Sequence, residues 1–161
     1  MSDSSNLFVI IDTNAVIQAL NERDKKLKIQ DFLKGKKCQI LVCNEIFAEL
    51  FESKKPSVGR WPGFTKDIIL KRLTESFGDR ILDYNTTSES KTLAKILEHK
   101  YSSEGLHNPD SILLAIAKTE NGEIITGDAS LSNCCRLEKI SCFDQNLIVP
   151  NPIEIKKKKS R

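Results

Sequence analysis

A chain of 161 residues with 39% apolar side chains, 29% charged side chains and a net charge of +3 has the size and balance of one globular domain, not of a disordered polyelectrolyte. At this length roughly two-thirds of the unfolded surface can be buried, so neither disulfides nor a structural metal are needed to hold the fold. No apolar run approaches the roughly 18 residues that span a bilayer, and the opening MSDSSN lacks the basic-then-apolar order of a signal peptide, so a cytoplasmic location is expected.

Taken in order, apolar runs of strand length alternate with stretches of helical period, which predicts an α/β fold with a mainly parallel central sheet. The first strand is predicted at Leu7 to Ile11, followed by helices at Asn14 to Asn21 and Lys25 to Leu33. A second strand is predicted at Gln39 to Val42 and a helix at Asn44 to Ser53. The loop KKPSVGRWPG, residues 54–63, leads to a helix at Thr65 to Phe77, a strand at Arg80 to Leu82 and a helix at Ser88 to Tyr101. A helix at Asp110 to Glu120, a strand at Glu123 to Thr126 and a weaker strand at Ile140 to Phe143 complete the pattern. Gly35 and Gly78 suit helix ends and Pro109 a helix start. Residues 1–155 read as a single domain and KKKKSR, residues 156–161, as a basic tail. The cysteines Cys38, Cys43, Cys134, Cys135 and Cys142 are odd in number, form no C-x-x-C pair and sit in apolar runs, which predicts reduced thiols in a reducing compartment.

Right-handed crossovers would place the carboxyl ends of parallel strands on one rim, where ligands bind. Four carboxylates fall at positions that lead there. Asp12 ends the first strand; NEIFAELFE follows the second, its Ile46, Phe47, Leu50 and Phe51 forming an apolar stripe that leaves Glu45, Glu49 and Glu52 on another face. HNPDSILLAIAK sets Asp110 at the start of a helix that is apolar all round from Ile112 to Ala117, and EIITGDASL puts Asp128 after the fourth strand, behind Thr126 and Gly127. Taken singly, the three aspartates read equally well as helix caps and Glu49 as a surface acid. Taken together, with the first, second and fourth strands central, they meet. Each pair at about 5 Å repels by about 3 kcal/mol at an effective dielectric near 20, more than a cap bond contributes, so a cation or bound protons must offset the charge. The set is hard oxygen, His107 reading as a capping or solvent-facing residue, and this favours Mg2+ or Mn2+ over zinc. Such a cluster is equipment for phosphodiester hydrolysis.

With VIIDTNAVI, VCNEIFAEL, NPDSILLAIA, IITGDASL and the closing IVPNPIEI, the chain resembles the PIN-domain nucleases, both the toxin-like and the RNA-processing prokaryotic members. The resemblance implies a three-layer α/β/α sandwich, Mg2+ or Mn2+ dependence and endoribonuclease activity. It implies that Asp12, Glu49, Asp110 and Asp128 are the catalytic and metal-binding acids, with Asn14 and Thr126 supporting them. It also implies frequent homodimers, and for toxin members an antitoxin partner. The segment from Lys54 to Tyr101 is longer than in the smallest toxins, and the KKKKSR tail lies outside the shared pattern. A haloacid-dehalogenase-type phosphatase would need a second aspartate where Asn14 stands, and a receiver domain would need an acidic pair at Asp12. A PIN-like RNA- or protein-binding module that does not cut is the remaining alternative, against which the intact quartet argues. Lys54, Lys55, Arg60 and Lys66 flank Trp61, so this loop is expected to hold the RNA backbone while Trp61 stacks on a base; the alternative is scattered surface lysines around a buried tryptophan.

Overall fold

The computed structural model describes residues 7–52 and 65–144. Ser53, Lys54, Lys55, Arg60, Trp61 and the KKKKSR tail lie outside them, as does the closing IVPNPIEI. The strands are β1 (Leu7–Ile11), β2 (Cys38–Cys43), β3 (Ile81–Tyr84), β4 (Glu123–Thr126) and β5 (Cys142–Asp144). The helices are α1 (Thr13–Asn21), α2 (Arg23–Leu33), α3 (Asn44–Glu52), α4 (Lys66–Phe77), α5 (Ser88–Lys100), α6 (Asp110–Glu120) and α7 (Ala129–Leu137), with a 3-10 turn at Ser102–Glu104.

The sheet is parallel throughout, in the order β3-β2-β1-β4-β5. Ile10 pairs with Leu41 on one side and with Ile124 on the other, so β1 is central and its end lies between those of β2 and β4. Crossovers from β1 toward β3 and from β3 toward β5 move in opposite directions, so one handedness puts α1 to α4 on one face and α5 to α7 on the other. The packing follows: α1 meets α2, α3 and α4, while α6 meets α5 and α7. The result is the expected three-layer α/β/α sandwich.

Central strands covered on both faces must be apolar on both sides, and Val9, Ile10, Ile40, Leu41, Val42, Ile124 and Ile125 are all buried. Helix α6 is the counterpart on the helical layer, with every residue from Ser111 to Ala117 buried. Phe51 departs from the expected stripe of α3: it is 41% exposed, while Ile46, Phe47 and Leu50 are buried. The cysteines are all free and buried.

Two boundaries moved for identifiable reasons. Arg80 does not open β3 but anchors it, its guanidinium donating to the carbonyls of Leu33 (2.9 Å), Lys36 (3.0 Å) and Phe77 (3.3 Å) where two helices end. The weak strand begins at Cys142 because Ile140 still closes α7: its N-H bonds the Cys135 carbonyl at 2.8 Å, that of Lys139 bonds Arg136, and Lys139 is left-handed at φ 60°, a Schellman motif. Helix α7 itself was not anticipated, since ASLSNCCRL is poor in strong helix formers. Its buried Leu131, Ser132, Cys134 and Cys135 nonetheless share one face. At Gly122 an added Cβ would stand 2.8 Å from the Phe8 carbonyl oxygen, so only glycine lets the chain enter β4 this close to β1.

Glu138 pins the outer layer. Its side chain is 6% exposed and accepts from Lys100 and Lys118, each at 2.8 Å, and from the Tyr101 hydroxyl. Burial pushes this carboxyl up, but the lysine and tyrosine donors outweigh it and bring it down to about 2, from an ordinary 4.5. A depressed folded value means the group stabilises the fold above pH 4.5 and loses that contribution as the pH falls toward 2. Glu138→Gln should therefore lower the urea midpoint near neutral pH, and the gap from wild type should close as the pH is taken below 4.5. A gap that persists unchanged at acid pH would show that packing, not charge, is the source.

Candidate active site

The edge between β1 and α1 is built around Asp12. Its backbone N-H still bonds the Ile125 carbonyl of β4 at 3.1 Å, and its own carbonyl already accepts from Val16 at 3.0 Å, so the residue belongs to sheet and helix at once. It occupies the N-cap position of α1, yet its side chain makes no cap bond. The carboxylate instead accepts a 2.5 Å hydrogen bond from the Thr126 hydroxyl and one from the Thr13 backbone N-H. Asp12 is only 5% exposed. Burial pushes its carboxyl above the usual range; the Thr126 and Thr13 bonds oppose this, and the charges of Asp128 and Glu49 add to it. The strongest bond of this carboxylate thus runs to the neighbouring strand and not to the N2 or N3 N-H that a cap would use.

Thr126, fully buried, joins two aspartates: it donates to Asp12 and accepts from the Asp128 backbone N-H at 3.0 Å. Asp128 is a true N-cap, one oxygen accepting from the Leu131 N-H at 2.8 Å, and it is half-buried. On α3 the acids divide. Glu45 accepts from the Thr86 hydroxyl at 2.5 Å, and Asn44 from the Thr86 N-H at 3.0 Å, which ties α3 to the segment after β3. Glu49 is half-buried and is the α3 acid whose charge acts on Asp12.

Asp110 is not a cap: Pro109 holds that position and Asp110 is the first residue of α6. The next residue, Ser111, is buried and donates to Glu98 of α5 at 2.5 Å, which fixes the start of α6. The charges of Asp110 and Asp128 both act on the Cys134 thiol, which is pushed up to about 11, chiefly by burial. Thr126 therefore links Asp12 to Asp128, the charge of Glu49 reaches Asp12, and that of Asp110 reaches Cys134 of α7. Asn14 is exposed on the first turn of α1. His107 is exposed, its Nδ1 3.4 Å from the Asn108 carbonyl oxygen. Lys66 is engaged: its Nζ lies 2.9 Å from Asp83 and 5.2 Å from the Phe47 ring centre.

Thr13, Ser111 and Glu98 are participants that sequence reasoning passed over. The Thr13 hydroxyl is buried without a hydrogen-bond partner among the described residues, next to the one carboxylate that burial most disfavours. Its place between Asp12 and Asn14 was the available signal; the Ser111 to Glu98 pair had none, since it joins two helices. Among the described residues no group of three or more His, Cys, Asp or Glu side chains is close enough to hold a metal as it stands. The donor chemistry nevertheless fits a hard divalent cation, because the groups are oxygens and the buried Asp12 charge, aggravated by two neighbouring carboxylates, is what such an ion would offset.

A carboxyl with a raised folded value costs stability above its unfolded value, and the cost shrinks as the pH falls. In chelator, Asp12→Asn should thus melt higher than wild type near pH 7, by about 2–4 °C for each kcal/mol relieved, with the difference narrowing toward pH 5. A lower melting temperature for the variant throughout would contradict the burial argument.

The sequence pattern of the PIN domain family matches residues 9–137, and no curated protein matches the chain significantly. Among solved structures, VapBC-1 from nontypeable Haemophilus influenzae is similar at 16% identity and a TM-score of 0.59, covering 87% of this chain and 99% of that one. VapBC2 from Rickettsia felis, bound to a DNA fragment from its promoter, is similar at 19% identity and a TM-score of 0.58, covering 86% and 98%. A toxin-antitoxin complex from Klebsiella pneumoniae is similar at 21% identity and a TM-score of 0.52, covering 75% and 87%. These likenesses share the fold. The match across most of the chain, joined to the acid-lined rim, shows that the chain belongs to the PIN domain family, whose members are generally nucleases.

Proposed function

We propose that the protein is an endoribonuclease that hydrolyses RNA phosphodiester bonds with Mg2+ or Mn2+ held by Asp12, Glu49, Asp110 and Asp128. The observation that carries this reading is the buried Asp12 carboxylate, which does not cap its helix, is bridged by Thr126 to Asp128 and lies within the field of Glu49. A buried carboxylate among like charges costs stability and is kept where the charge is used.

Held by these four acids, a divalent ion would supply Lewis-acid chemistry, acidifying a water and offsetting negative charge. The chain's part is to orient the ligands. Thr126 holds the plane of the Asp12 carboxylate from the neighbouring strand, so Asp12 is presented in one geometry. Asp128 is held by its bond to Leu131, and Asp110 by the start of α6 that Ser111 and Glu98 fix. Asn14, on the exposed first turn of α1, would meet substrate.

Labelled RNA incubated with Mn2+ should be cut by the wild-type protein and spared when chelator is added. Asp12→Asn and Asp110→Asn should each lower the rate by about 100-fold or more, the scale of losing one preorganised electrostatic contact. Chelator-sensitive cleavage that survives both substitutions would remove the site assignment.

We also infer that the chain is the toxin half of a pair held in check by an antitoxin. This is supported by solved neighbours that are toxin-antitoxin assemblies. Induced expression of wild type should then arrest bacterial growth, and Asp12→Asn should not; equal growth under both would count against a toxin role.

A further inference from the structure

The acid-lined rim poses a problem for a polyanionic substrate. Four carboxylates repel RNA, so affinity must come from cations elsewhere. In an all-parallel sheet the residues just ahead of each strand collect at the opposite, amino-terminal rim. Here Lys34, Lys36 and Lys37 occupy the connection from α2 to β2, and Lys139 the connection from α7 to β5.

Contacts bring the α2 to β2 connection to β5, the strand that the α7 to β5 connection enters. Phe32 of α2 packs on Phe143 of β5, ring centres 4.7 Å apart and tilted by 52°. The Lys36 Nζ lies over both rings, 4.9 Å from the Phe32 centre and 5.8 Å from the Phe143 centre, and 4.0 Å from Glu123 at the start of β4. The α2 to β2 connection therefore reaches beneath β1 to β4 and β5. Both rings are half-buried, and Lys34, Lys37 and Lys139 are exposed. None of those three exposed lysines forms an ion pair with a carboxylate among the described residues. The backbone at Lys139 is fixed by the Schellman bonds at the left-handed end of α7, and the Lys36 ammonium is positioned in advance by its aromatic contacts.

We propose that this amino-terminal rim is a second nucleic-acid surface, where Lys34, Lys36, Lys37 and Lys139 hold the phosphate backbone of single-stranded RNA beside the Phe32 and Phe143 rings. Single strands are favoured because half-buried rings next to cations offer a face for unpaired bases, which a duplex does not present. The choice of RNA rests on the ribonuclease reading; the surface does not use the acidic residues.

The test is fluorescence anisotropy of labelled oligo(U) RNA in chelator, where cleavage is off, with wild type and a Lys34→Glu, Lys37→Glu, Lys139→Glu triple variant whose thermal melt is checked against wild type. The variant should bind about tenfold more weakly or worse at low salt. Its slope of log affinity against log salt should be shallower by about 2, the loss of three single-strand phosphate contacts at roughly 0.7 each. Equal affinity and slope in the two proteins overturns the proposal, as does an absence of wild-type binding. Duplex RNA or anionic vesicles that compete as well as oligo(U) overturn the choice of ligand. Cleavage with Mn2+ is read separately: a wild type that binds but never cuts removes the ribonuclease reading and leaves the rim standing, whereas a triple variant that binds like wild type removes the rim while cleavage stands.

Discussion

The bond from the Thr126 hydroxyl to the Asp12 carboxylate, 2.5 Å long and joining the ends of two central strands, is the contact on which the site depends. It connects residues 114 positions apart, so it exists only once β1 and β4 are paired in register. Ile11 opposite Ile125 sets that register, and the next residue of each strand then faces the other across the rim. A slip of one residue would turn every strand side chain to the opposite face and undo it. The pairing that buries the core and the pairing that assembles the site are one event.

That economy carries a cost. Asp12 is buried where its charge is disfavoured, and Asp128 and Glu49 make it worse. The surrounding structure offsets this away from the rim. Arg80 ties the ends of α2 and α4 to β3 through carbonyls of Leu33, Lys36 and Phe77. Glu138, with Lys100, Tyr101 and Lys118, holds α5, α6 and α7 together. In these two clusters the charged groups are met by hydrogen-bond partners, whereas at the rim the charges of Asp128 and Glu49 act against that of Asp12. The contrast between a settled scaffold and an unsettled edge is what gives the rim a chemical reading. The same division runs through the lysines, since Lys34, Lys37 and Lys139 form no ion pair among the described residues while Lys66 and Lys100 do.

Much of the architecture was legible because burial and period coincide. Strands β1, β2 and β4 are covered on both faces and so appear as unbroken apolar runs, and α6 as a helix apolar all round. Helix α7 was hidden because small polar and thiol side chains can line a buried face without an apolar pattern. Phe51 misled in the other direction: its spacing fits the stripe of α3, but among the described residues it stays 41% exposed. Lys66 was read as free to meet RNA, and only the fold reveals Asp83 as its partner.

By itself the sequence determined the parallel α/β sandwich and the central place of the first strand, and it singled out four acids near strand ends, because hydrophobic period and strand-end position are local properties of the chain. It could not distinguish a cap from a working carboxylate, since Asp12, Asp110 and Asp128 sit in near-identical local settings. Tertiary structure separated them: Asp128 caps α7, Asp110 is the first residue of α6 behind Pro109 at the cap position, and Asp12 accepts from a threonine on another strand. The reason is physical. A hydrogen bond within one turn is encoded by neighbours, but a charge's burial and its like-charged surroundings arise from segments that meet only when the sheet closes.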